Sequence, residues 1–146
     1  MKNITEFSGA VQFAIVFFDA NVVKFPSSGW PANANPALKA AAISMVMSTQ
    51  PGSGTCGKPA LITTLAYANR STSRLRIIIY LSDGYNTCPG HNPAQYSEEM
   101  LKEVAAHNHQ RVQINTVCIG PYQAADEEFM QKLAAQNGGR YTRLVD

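Results

Sequence analysis

The chain has 146 residues, one domain by length, and 45% of them are hydrophobic, so it can bury a core and is not a disordered polymer. Its formal net charge is only +2, with acidic and basic residues interspersed, which excludes the clustered Lys/Arg footprint of a nucleic-acid binder. No apolar run reaches the ~18 residues of a membrane span, and the opening MKNITEFSG lacks the basic-then-apolar order of a secretory signal.

QFAIVFFDANVVKF (12–25) is rich in β-branched and aromatic residues and reads as a strand through Phe18, a turn at 19–21 and a shorter strand. Asp19 in FFDAN is read as a turn residue, since Asp and Asn favour turns. PSSGWPANANP (26–36) is a loop. PALKAAAISMVMS (36–48) is a helix with Asn35 as its cap and Pro36 in its first turn. After the glycine-rich loop PGSGTCGKP (51–59) comes a second helix, 58–71, with Leu61, Leu65 and Ala68 at helical spacing.

LRIIIYLSDG (75–84) is apolar nearly throughout and reads as a parallel strand buried on both faces. SEEMLKEVAAHNHQ (97–110) is a helix with Ser97 as cap and Glu98 and Glu99 complementing its dipole. VQINTVCIG (112–120) is a strand. AADEEFMQKLAAQNGG (124–139) is a helix with Asp126, Glu127 and Glu128 at its start and a terminating glycine pair; RYTRLV (140–145) is a last strand. Cys118 falls in an apolar run as a buried small hydrophobe, and His107 and His109, two apart on a helix, do not face one ligand.

Alternation of apolar strands with helices implies a doubly wound α/β fold, a mostly parallel sheet flanked by helices. Ligands of such folds sit at the carboxyl ends of the strands, here marked by Asp19, Asp83 and Gly120.

The loop at 51–59 nearly spells the phosphate-binding motif G-x-x-x-x-G-K-[ST], with Gly52, Gly57 and Lys58 in register but Pro59 in place of the hydroxyl. The segment before it is helical where a phosphate loop follows a strand. A degenerate nucleotide-binding enzyme is therefore the alternative reading. In the leading one Thr55, not Lys58, is the working residue. Thr55 and Asp83 are hard oxygen donors suited to a divalent cation that keeps waters in its other positions. Gly52 and Gly54 let the loop approach the sheet, and Gly84 permits the sharp turn after Asp83. No G-x-S-x-G elbow occurs and no Ser or Cys shows a paired base, so no enzymatic activity is expected.

Four colinear pieces, QFAIVFFDANV, the GSGT loop with its helix, IIIYLSDGYN, and INTVCIG with FMQKLAAQNGGRYTRL, resemble the von Willebrand factor type A (VWA) domain over nearly the whole chain. The resemblance implies a Rossmann-like domain over 1–146 that binds protein ligands through a metal-ion-dependent adhesion site. There Mg2+ (or Mn2+ or Ca2+) is completed by a partner's acidic side chain. It gives Thr55 and Asp83 the threonine and aspartate roles, Asp83 acting through water.

The family's D-x-S-x-S is absent from the sequence. MKNITEF resembles the tail of the family's first helix and SGAVQFAIVFF its second strand. The chain is thus read as incomplete at its N-terminus, a fragment or mis-started chain lacking the first central strand. The expected consequences are two strands without their partner and weak or no metal affinity. The resemblance also puts Cys56 and Cys88 on loops at one end of the sheet. They either form a disulfide, which points to an extracytoplasmic or cell-surface setting, or remain two thiols.

Overall fold

A computed structural model describes residues 11–120 and 124–144, with the side chains of 124–126 left out. The readings of MKNITEF as the end of a helix and of Asp126 as a dipole partner lie outside the described residues. The elements in order are β1 (Gln12–Phe13), β2 (Ile15–Phe18), β3 (Val22–Phe25), β4 (Ala32–Asn33), α1 (Pro36–Ser48), α2 (Gly57–Arg70), β5 (Ile77–Ser82), α3 (Pro93–His107), β6 (Gln113–Cys118), α4 (Ala124–Gln136) and β7 (Tyr141–Arg143).

Two-residue periodicity shapes the parallel sheet β5-β6-β7. In register, Ile78 faces Ile114, Tyr80 faces Thr116 and Ser82 faces Cys118, and all six are buried. They meet Leu61 and Leu65 of α2, Tyr96, Met100 and Val104 of α3, and Met130 and Leu133 of α4 in one core. Each large apolar side chain so buried contributes ~1.5–3 kcal/mol. Thr116, fully buried on this face, donates its hydroxyl to the carbonyl of Met130 and is thereby satisfied.

The other face of β5 departs from the expectation of burial on both sides. Ile77, Ile79 and Leu81 are 47%, 56% and 52% exposed, because α2, α3 and α4 all pack on the opposite face. A strand apolar at every position carries no alternation from which an open face could be read.

The N-terminal strands form two antiparallel pairs, β2-β3 and β1-β4, the latter recruiting Ala32 and Asn33 from the segment read as a loop. Helix α2 packs against both β2 and β5, and Phe18 of β2 stacks on Tyr80 of β5 with ring centroids 5.4 Å apart. No ladder joins β2 to β5, so among the described residues each has one unpaired edge, the arrangement that the resemblance implied.

Helix α1 is capped as read: the Asn35 side chain accepts from the N–H of Leu38, and Pro36 opens the helix. Helix α3 starts earlier than read. Asn92 is the cap, its side chain accepting from the N–H groups of Ala94 and Gln95, and Pro93 takes the first helical position. Ser97 lies inside the helix and donates its hydroxyl to the carbonyl of Pro93. Glu98 and Glu99 are accordingly beyond the first turn, and Glu99 instead pairs with Lys58. An Asn-Pro start outcompetes an internal serine because its cap is followed by a residue with no N–H to satisfy. Asn92→Ala should therefore destabilise the domain by about 1 kcal/mol, read as a lower denaturation midpoint with an unchanged slope.

Candidate functional site

The end of β5 places Asp83. Ser82 is the last strand residue, and its Oγ accepts from the N–H of Gly84, which lies in the left-handed region at φ 83°. That turn leaves the Asp83 side chain at the strand's carboxyl end, with one oxygen, Oδ1, accepting from the N–H of Tyr85. Gly120, beyond the end of β6, approaches the same residue: a Cβ placed there would lie 3.7 Å from the Asp83 Cβ.

The loop before α2 is drawn to this end by backbone hydrogen bonds to the turn after β2. The N–H of Ala20 donates to the carbonyl of Ser53 at 2.9 Å, and the N–H of Cys56 donates to the carbonyl of Asp19 at 2.8 Å. Gly52 is needed because a Cβ would run into the Asp19 carboxylate. Gly54 takes φ 79° and lies so close to Pro89 and the Thr87 carbonyl that a Cβ would sit 3.2 and 3.3 Å from them. The glycines let the loop approach as read, although what they approach is Asp19 and the loop after β5.

Thr55 is half-buried between these loops. Its N–H reaches the carbonyl of Thr87 at 3.4 Å, and the two threonine hydroxyls are 3.4 Å apart. The loop that begins at Asp83 thus touches Thr55 through Thr87. Cys56, the next residue, is joined to Cys88, the residue after Thr87, by a disulfide, which settles the choice between a bond and two thiols. Cys118 is a buried free cysteine, as read.

Two contributors go beyond the sequence reading, which marked Asp19 as a strand-end turn residue and did not single out Thr87. Asp19 does make the expected turn, its Oδ1 accepting from the N–H of Asn21 at 2.6 Å, but its carbonyl and carboxylate also seat the Thr55 loop. Its position after the first strand was the available signal. Thr87 has none, being one polar residue in a polar loop.

The donors at this end are hydroxyls and carboxylates, a hard-oxygen set. Among the described residues no group of three or more His, Cys, Asp and Glu gathers to hold a metal. The set therefore fits a cation only as a partial site, with waters or added ligands filling the other positions.

Lys58 is placed elsewhere. Its ammonium pairs with Glu99 at 2.9 Å and lies 5.1 Å from the centre of the Tyr96 ring, while its N–H donates to the Tyr96 hydroxyl. The hydrogen bond to Glu99 raises the lysine's pKa, and the same bond lowers that of the glutamate. The loop before it follows helix α1 and not a strand. These features oppose the phosphate-cradling reading.

An α/β domain with a parallel sheet and loops converging at its carboxyl end defines the class. The profile described as the von Willebrand factor type A domain matches residues 2–143, and the chain belongs to this family. A solved structure of an aerotolerance-related membrane protein from Bacteroides fragilis, with multiple mutations to serines, is similar in fold. It is 13% identical, with a TM-score of 0.68 over 98% of this chain and 76% of that one. No curated protein matches the sequence. Among the described residues no helix is long and apolar enough to cross a membrane.

With Lys58 committed to Glu99, calorimetric titration with Mg2+–ATP should show no binding tighter than about 1 mM. Micromolar affinity lost in Lys58→Ala would reinstate the nucleotide reading.

Proposed function

We propose that this domain is a non-enzymatic protein-binding module. It would grip an acidic side chain of its partner through a divalent cation held between Thr55 and Asp83. The observation that carries this reading is the meeting of the Thr55 loop with the loop that starts at Asp83, through Thr87 and the Cys56–Cys88 bond. Thr55 offers a neutral hydroxyl, and Asp83 has an oxygen beyond the one committed to Tyr85. Such a pair favours Mg2+ or Mn2+ with much of its water shell retained, and a carboxylate from outside would replace one water. In this reading the cation supplies charge that attracts and orients the partner's carboxylate. The chain's residues fix where that charge sits. The disulfide favours an oxidising compartment for the domain.

With few protein donors, the cation alone should bind weakly, with a Kd above about 100 µM for Mn2+ by calorimetry. An aspartate-containing peptide should bind only when Mn2+ is present, and Thr55→Val or Asp83→Ala should remove that dependence. Micromolar Mn2+ affinity without the peptide, or peptide binding indifferent to both substitutions, would refute the reading.

A further inference from the structure

The Cys56–Cys88 bond spans the two loops at the candidate site, and little else does. Among the described residues the other ties between these loops are one long backbone hydrogen bond from Thr55 to Thr87, a contact between the same two hydroxyls and the packing of Gly54 on Pro89. Pro51, Gly52, Ser53, Thr87, Pro89 and Gly90 are exposed, so water competes for whatever holds them. Segments with few buried contacts open most readily. We propose that this disulfide is a reducible latch: a dithiol reductant opens it in the folded protein and frees the two loops without unfolding the sheet. As a control on the binding site the latch rests on the reading above; as a control on loop order it stands alone.

The two sulfurs differ in a way that gives the exchange a direction. Cys88 is half-buried between exposed neighbours, whereas Cys56 is only 4% exposed. An incoming thiolate therefore meets the sulfur of Cys88. It forms a mixed disulfide there, the Cys56–Cys88 bond breaks, and the electron pair leaves on Cys56. That residue is the N-cap of α2, a helix of 14 residues, and its side chain makes no capping hydrogen bond. The positive end of the helix dipole stabilises a thiolate at this position, and a stabilised thiolate leaves faster. The reductant's second thiol then attacks its own sulfur in the mixed disulfide and releases Cys88 as a thiolate. Two electrons pass from the dithiol, which ends as a disulfide, and both cysteines take protons from solvent.

Cys56 is buried and Cys88 packs against the core from a half-buried position, whereas Leu61, Leu65, Ile78 and Ile114 are buried within the core cluster itself. Opening the latch leaves those contacts in place. The bond does carry part of the domain's stability, because it closes a 32-residue separation in the chain. The reduced form should therefore melt at a lower temperature while remaining folded at 25 °C.

The test is dithiothreitol treatment of the native chain, followed by thiol alkylation with intact-mass detection and by hydrogen exchange. Two thiols besides Cys118 should become alkylated while the β5 and α2 amides stay protected. Exchange in residues 51–56 and 83–90 should rise about tenfold or more, and a Cys56→Ser/Cys88→Ser variant should reproduce that pattern without reductant. Thiols that appear only at the rate of global exchange would overturn the proposal, as would loops equally protected in both forms. Mn2+-dependent capture of the aspartate peptide, compared across the two forms, separates the two readings. Binding that weakens about tenfold on reduction supports both. Loosened loops in a chain that binds Mn2+ and peptide in neither form keep the latch and sink the binding reading.

Discussion

Burial of one face of the β5-β6 ladder is the constraint on which the rest of the structure depends. Ile78, Tyr80, Ile114 and Thr116 point to the same side, and α2, α3 and α4 must all lie there to cover them. Parallel strands linked by helices return each chain segment to the same end of the sheet, so strand ends and helix starts collect together. The position of the candidate site follows. The start of α2 and the end of β5 are neighbours because Leu61 and Leu65 seat α2 on this face, and α2 in turn spans to β2. A side chain too small at Leu61 or Leu65 would loosen the core and, through α2, the loop that carries Thr55.

Convergence brings the loops close but does not order them. Ordering comes from small numbers of specific contacts. The carbonyls of Asp19 and Ser53 tie the Thr55 loop to the turn after β2, Gly52 and Gly54 permit the approach, and the Cys56–Cys88 bond fastens it to the loop after β5. Lys58, one turn of chain further on, is turned away toward Glu99 and Tyr96 on α3. The near-match to a phosphate loop is thus a coincidence of spacing, because what makes such a loop work is its setting between a strand and a helix, which this segment lacks.

The second face of the sheet has a different character. Ile77, Ile79 and Leu81 of β5 are apolar and substantially exposed there, and Ile43, Val46 and Met47 of helix α1 are likewise exposed among the described residues. Helix α1 is apolar on every side, with only Ala42 fully buried, a pattern that belongs to helices enclosed by other structure. Together with the unpaired edges of β2 and β5, these residues mark the part of the domain least satisfied by its own described contacts.

Local sequence determined much of this. Apolar runs gave β5 and β6, helical spacing gave α2, and Asn35-Pro36 gave the start of α1, because each depends on propensities and caps within a few residues. Asn92-Pro93 carries the same local signal for α3, and the helix starts there and not at Ser97, which lies inside it. That the loops carrying Thr55, Asp83 and the two cysteines lie at one end of the sheet was legible from motif and resemblance together. Tertiary structure alone decided the rest. Which face of β5 is covered could not be read from a strand apolar at every position. The pairing of Ala32 and Asn33 with β1 depends on a partner twenty residues away. The second use of Asp19, the presence of Thr87 beside Thr55 and the commitment of Lys58 to Glu99 all arise where segments distant in sequence are forced together by a shared buried face, and no local pattern encodes that meeting.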